Sequence, residues 1–217
     1  MKLSLNKLKH SGFLLAHGIV GIAVLIFVIT VPKLEGQFWI NQFHGTWGDY
    51  AFPRITKLGE WIPVILVALF CAVLSTRKAL TFACGYLSAG VLTMLGKLVL
   101  FPGIMRPKNM MQIYEHYHWV EGVVLRGHHS FPSGHTQSAF SVFFMLAILV
   151  KPQWAKFLCF CMAAITGFSR VYISQHFMVD ILVGSVIAVV CLLFFERYWL
   201  KKDGNWLDRP LIPFSRG

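Results

Sequence analysis

Acidic side chains are scarce in this sequence. Asp and Glu together number 9 in 217 residues, and all charged residues amount to 13%, against roughly 25% in soluble domains. So little charge cannot cover the surface of a water-soluble protein of this length. Other absences narrow the chemistry. There is no G-x-S-x-G elbow and no phosphate-binding Walker loop. Glu35, Asp49 and Glu60 are scattered rather than grouped, so a two-metal hydrolytic site has no ligands. No internal repeat and no linker appears, and the chain is read as one domain, 1–217.

The five cysteines, Cys71, Cys84, Cys159, Cys161 and Cys191, all fall inside apolar segments. Free thiols packing as small hydrophobes are the expectation there. Cys159 and Cys161 form a single C-x-C with no second pair, so neither a disulfide framework nor a zinc site is expected. His116, His118, His128 and His129 lack a Cys or carboxylate partner at ligand spacing, and loop polarity accounts for them better than a metal. No metal and no cofactor is expected.

What the sequence has is apolar residues, 56% of the total, gathered in blocks. Six stretches approach the ~20 apolar residues that cross the hydrocarbon: about 12–31, 61–74, 79–101, 134–150, 154–172 and 177–200. An all-α integral membrane bundle of six transmembrane helices follows. The amino terminus resembles a signal peptide, but Val31-Pro32-Lys33-Leu34 offers no small-residue cleavage site, so the first run is read as an uncleaved span.

The formal net charge of +11 raises the question of nucleic acid. No basic helix face or groove-reading motif is present, and no nucleic-acid partner is expected. Instead the cations alternate with the spans. Lys2, Lys7 and Lys9, then Arg77 and Lys78, then Lys151 and Lys156, then Arg197, Lys201 and Lys202 all fall on one face. By the positive-inside rule that face is cytoplasmic, with both termini on it. Residues 203–217 read as a short cytoplasmic tail. The opposite face receives an aromatic loop at 33–60, a long loop at 102–133 expected to be ordered, and a tight turn at 173–176. Nothing in the sequence specifies an oligomeric state.

Ionisable residues at the ends of spans are costly and suggest function. Three groups lie at the outer ends of spans three to six: Lys97 with Arg106-Pro107; Pro132-Ser133-Gly134-His135; and Ser169-Arg170 with His176 and Asp180. Arg106 and Arg170 can each give two parallel hydrogen bonds to a phosphate, and Lys97 can act as a point charge. Ser133-Gly134 opens a helix, where a serine caps and a glycine lets backbone N–H groups approach an anion. His176 and Asp180, four apart, share a helix face. Asp180 can fix the imidazole tautomer and leave the other nitrogen nucleophilic. The same pair would also serve as an ordinary helix cap. His135 is positioned to act as general acid.

These motifs resemble the type 2 phosphatidic acid phosphatase family, which shares its active-site design with vanadium haloperoxidases. Pro132-Ser133-Gly134-His135 matches in full, as does Ser169-Arg170 with His176 and Asp180 downstream. The motif core spans 97–180. One departure stands out: eight residues separate Lys97 from Arg106, where the family usually has six, which makes Lys108 a substitute candidate for Lys97. The resemblance implies that His176 attacks phosphorus to give a phosphohistidine, oriented by Asp180. It implies that His135 protonates the departing oxygen and then activates water. Lys97, Arg106, Ser133, Gly134 and Arg170 would hold the phosphoryl oxygens. The expected partner is a phosphorylated membrane lipid (phosphatidic acid, phosphatidylglycerol phosphate, isoprenyl diphosphate or lipid A type) in the bilayer. The expected place is a cytoplasmic inner membrane, with the site on the periplasmic or extracellular side. A phosphotransferase using the same site is the enzymatic alternative. A transporter or structural membrane protein is the other class, but a transport pathway would put charge near the bilayer midplane, and these charges lie at one edge.

Overall fold

The computed structural model describes residues 10–212, all of whose regular elements are helical. Lys2, Lys7 and Lys9 of the basic amino terminus, and residues 213–217 of the tail, lie outside the described residues. Nine α-helices follow in order: α1 Ser11–Thr30, α2 Lys33–Asn41, α3 Thr46–Ile55, α4 Trp61–Leu74, α5 Thr76–Leu95, the single turn α6 Pro107–Met110, α7 Gly134–Leu149, α8 Gln153–Tyr172 and α9 Met178–Leu200.

Every apolar block of the sequence forms a helix. Four segments are long and apolar enough to cross a membrane: α1, α5 with its extension to Leu100, α8 and α9. A fifth arises if Thr46–Gly59 and Trp61–Leu74, bent by 42° at their junction, count as one broken span. Helix α7, at 16 residues, reaches only about 24 Å at 1.5 Å per residue.

Small and polar residues sit among the apolar ones in the interior of the bundle. Helix α7 is central, against α4, α5, α8 and α9, and it carries the small and polar residues Ser138, Ala139, Ser141 and Ala147, all buried. Small side chains let helices approach closely where lipid gives no hydrophobic drive for association. Its polar groups are satisfied locally: Gln137 Nε2 donates to Ser141 Oγ at 3.2 Å, and Tyr86 Oη lies 3.2 Å from Ser138 Oγ. Helix α1 is the opposite case, with Phe13 its one buried residue. That ring meets Phe144 at 4.8 Å and Phe160 at 5.7 Å, pinning α1 to α7 and α8.

The basic residues Arg77, Lys78, Lys151 and Arg197 gather at one end of this bundle. Lys156, read from sequence as one of that solvated set, is instead buried, with Nζ donating to the Ala147 carbonyl at 2.9 Å. It stands at the carboxyl end of α7, where a cation is favoured by the helix dipole. The start of the tail is likewise docked. Thr76 N and Arg77 N donate to the carbonyls of Arg209 and Leu207 at 2.8 and 2.7 Å, and Leu207 is buried.

At the other end the loops are built, not slack. Residues 33–60 form α2, α3 and a 3-10 turn. The 102–133 loop has its own small core of Met111 and Tyr117 against Phe177, and of Val120 against Tyr172 and Ile173.

Candidate active site

The end of α5, the amino termini of α7 and α9 and the end of α8 meet beneath the 102–133 loop. They enclose a cleft of about 360 Å³ lined by Lys97, Arg106, Gly134, His135, Arg170 and His176, with Arg126 and Gln175 beside them. Six of the eight residues singled out in the sequence therefore face one space. The other two, Ser133 and Asp180, are fully buried one layer behind it. Lys108 turns away, its Nζ 3.3 Å from the Leu125 carbonyl.

Lys97 reaches the cleft despite the long spacing to Arg106. Helix α5 widens into a π turn at Gly96–Leu100, closed by Phe101 N on the Gly96 carbonyl at 2.9 Å. A turn follows with Gly103 at φ 82°, a left-handed conformation glycine adopts without cost. The two devices take up the extra residues.

Helix α7 starts under the cleft. Ser133 is its N-cap, and its Oγ accepts from Thr136 Oγ1 at 2.9 Å. A Cβ on Gly134 would meet nothing within 4 Å, so the first turn of α7 is open to the cleft. Its free N–H groups and dipole favour an anion there. Close packing fixes this segment from behind: a Cβ on Gly184 of α9 would lie 2.6 Å from the Ser133 carbonyl.

His176 is 1% exposed. Its Nδ1 lies 3.3 Å from Asp180 Oδ2, and the same oxygen accepts from the Ser130 hydroxyl and from Phe177 N at 2.9 Å. With Nδ1–H directed to the carboxylate, Nε2 carries the lone pair. Nε2 faces Arg106 Nη1 at 3.2 Å. Burial holds the imidazole below its ordinary pKa, opposed by the bond to and charge of Asp180. That direction favours the neutral ring, the form a nucleophile needs.

Arg106 is buried and held on every arm. Nε donates to the His128 carbonyl at 2.8 Å, Nη1 to the Gln175 carbonyl and Oε1 at 3.0 and 3.1 Å, and Nη2 to the His129 carbonyl at 3.2 Å. Burial and then neighbouring Arg126 lower its pKa, with Asp180 opposing. Positive charge held out of water in this way is stabilised by an incoming anion. Arg170 donates Nη1 to Thr56 Oγ1 at 2.9 Å, while its buried Nε has no partner among the described residues. Two non-glycine residues with positive φ flank the site, His129 at 56° and Ser174 at 57°. Such conformations need surrounding support. The His129 carbonyl receives Arg106 and Lys97, and the Ser174 hydroxyl lies 2.7 Å from Tyr117 Oη.

Sequence reasoning missed the residues that hold this arrangement. Ser130, Gln175 and Thr56 contact Asp180, Arg106 and Arg170 directly. Asp49, read as scattered, accepts from Tyr172 Oη at 2.8 Å and pairs with His118 at 2.9 Å, joining α3 to the loop and α8. Only Gln175 carried a signal, its place beside His176. Among the described residues, no three His, Cys, Asp or Glu side chains are grouped as a metal ion would require.

Known proteins are similar to this chain. The Lipid A 4'-phosphatase of Bacteroides thetaiotaomicron is 21% identical over 161 residues, covering 69% of this chain and 68% of that protein. The crystal structure of Aquifex aeolicus LpxE superposes with a TM-score of 0.66 at 23% identity, covering 76% of this chain and 95% of that one, a likeness of fold. Residues 78–203 match the family model of the PAP2 superfamily, a stretch that holds the six residues facing the cleft and the two behind it. With more than half its length matched, the chain belongs to the PAP2 superfamily.

Proposed function

We propose that the chain is a membrane lipid phosphatase working through a phosphohistidine at His176. The observation that carries this is the lone-pair nitrogen of His176, backed by Asp180 and turned into a cleft of cations drawn from separate elements. Nε2 attacks phosphorus, a P–N bond forms and the P–O bond to the lipid breaks. His135, on the same cleft, gives its proton to the departing oxygen. It then takes a proton from the water that cleaves the P–N bond, returning His176 and releasing phosphate. Lys97, Arg106, Arg170 and the open first turn of α7 at Gly134 hold the phosphoryl oxygens as charge redistributes, while Ser133 caps that turn from behind. The unpartnered, buried Arg170 Nε supports an anion as the missing partner.

The substrate's place follows from the spans. The cleft lies at their ends, so a headgroup would enter it while the tails stay in hydrocarbon. The name of the Bacteroides relative supports a phosphorylated lipid. In this reading the six apolar helices cross a cytoplasmic inner membrane, α7 by a short path and α3–α4 as a broken span. The basic end and both termini face the cytoplasm, and the cleft opens on the outer side.

The test is phosphate release from phosphatidic acid, phosphatidylglycerol phosphate, isoprenyl diphosphate and lipid A by the purified chain in detergent with no added metal. Release from at least one, abolished by His176→Ala, is expected. Full release by that variant contradicts the mechanism.

A further inference from the structure

Helix α1 is held to the bundle near its start. Phe13, its single buried residue, packs on Phe144 and Phe160. One turn further on, His17 Nε2 lies 3.0 Å from Ser185 Oγ of α9. Ser185 gives its own proton to the Leu182 carbonyl at 2.7 Å, so the imidazole N–H donates to the hydroxyl. Beyond this pin α1 stands away from α8 and α9. The gap is a groove of about 520 Å³, walled by Val20, Gly21 and Val24 on one side and by Ile165, Ile181 and Leu182 on the other. A Cβ on Gly21 would meet only Leu182 Cδ1, at 3.8 Å, an ordinary contact. Helix approach therefore does not require this glycine; its missing side chain is part of the open space.

The groove adjoins the catalytic cleft, and α3, α7 and α8 wall both. Phe52 lines the groove where Pro53 lines the cleft, Thr136 where His135 does, and Phe168 where Arg170 does. From Met178 to Ser185 the groove follows α9 for about 10 Å at 1.5 Å per residue. It therefore runs from the site along the segments α1, α8 and α9 that are apolar enough to cross a membrane. An unfilled apolar gap forfeits dispersion contacts along its whole lining, and at that depth hydrocarbon chains are what the surroundings supply.

We infer that this groove holds one hydrocarbon chain of the substrate while the phosphate occupies the cleft. This rests on the phosphatase reading above. The surrounding lipid is as apolar as the groove, so what the chain gains there is orientation rather than transfer out of water. Seated beside Thr136 and Phe168, it fixes the height and turn of the headgroup over His176. Contact remote from phosphorus is thereby converted into position at the reacting centre.

The experiment fills the groove with Gly21→Leu. Gly18→Leu is the control, on the same helix but outside the groove, where a Cβ meets nothing within 4 Å. Phosphate release in detergent is measured on two pairs: phosphatidic acid with palmitoyl or butanoyl chains, and undecaprenyl or dimethylallyl diphosphate. Each variant is compared with wild type on the same lipid, so partition into micelles cancels. Gly21→Leu should lower kcat/KM roughly tenfold on a long-chain member and stay within about twofold on its short partner. Gly18→Leu should match wild type on all four, and both variants should unfold at the wild-type temperature. Equal loss on long and short chains, which marks a resident lipid or a packing defect, overturns the groove, as does a loss shared by Gly18→Leu or no loss at all. Each of these leaves the phosphatase reading standing. Wild type inactive on all four also overturns the groove, and release from the wider lipid set above then decides whether the phosphatase reading falls with it.

Discussion

Arg106 Nη1 lies 3.2 Å from Nε2 of His176, so the proposed nucleophile faces a cation before any substrate arrives. The same guanidinium is anchored on the carbonyls of His128, His129 and Gln175. A lysine has one charged head and cannot span these partners. Arg106→Lys should therefore lower kcat about a hundredfold and also lower the unfolding temperature in detergent, since buried carbonyls lose their donors. Activity within a few fold of wild type would show that charge alone suffices there.

Asp180 gathers three donors on one oxygen, and only one of them is His176. Asp180→Asn keeps the shape but can donate to Nδ1, turning the ring to the tautomer whose Nε2 carries hydrogen. A loss of roughly a thousandfold or more in kcat is expected, as for other oriented histidines. Ser130→Ala, which removes a bond to the carboxylate but leaves its charge, should cost much less. A Ser130→Ala loss as large as that of Asp180→Asn would indicate that the carboxylate's geometry, not its charge, matters.

The burial of His176 makes a prediction about stability and acid. Its folded pKa lies below the unfolded value of 6.5, so the unfolded chain takes up a proton first as pH falls. Stability from the neutral ring is fully present above 6.5 and is lost as pH drops below that value. Unfolding temperatures between about pH 7.5 and about pH 5 should fall more for wild type than for His176→Asn. Parallel curves would mean that the ring titrates as it does in the unfolded chain.

Gly184 sets how closely α9 approaches the start of α7. A Cβ there would lie 2.6 Å from the Ser133 carbonyl, which is backbone and cannot swing aside. Gly184→Ala should displace Ser133 and Gly134 and cost at least tenfold in kcat, since small misplacements are costly at a reacting centre. Gly90→Ala, where a Cβ meets nothing within 4 Å, is the control and should be silent. Equal effects at the two positions would remove the packing argument.

Much of this site was legible in the sequence because span ends are where ionisable groups stand out. Lys97, Arg106, His135, Arg170 and His176 announce themselves by cost. Their supports do not: Ser130, Thr56 and Gln175 are ordinary polar residues in loops, and only the fold brings them to Asp180, Arg170 and Arg106. The helices too were readable as apolar blocks. The structure of 33–60 was not, because α2 and α3 are short and held by tertiary pairs such as His118 with Asp49. Lys156 looked like a solvated loop charge, and nothing local reveals that α7 ends beside it. The π turn after α5 was hidden for the same reason, although the spacing between Lys97 and Arg106 marked where to look.

The central claim is that phosphate passes through the imidazole at position 176. Purified chain mixed with labelled phospholipid, quenched in alkali within milliseconds and digested, should yield label on the peptide carrying His176, with none on the same peptide from His176→Ala. Steady phosphate release with no labelled histidine, or label on a different side chain, would contradict the account.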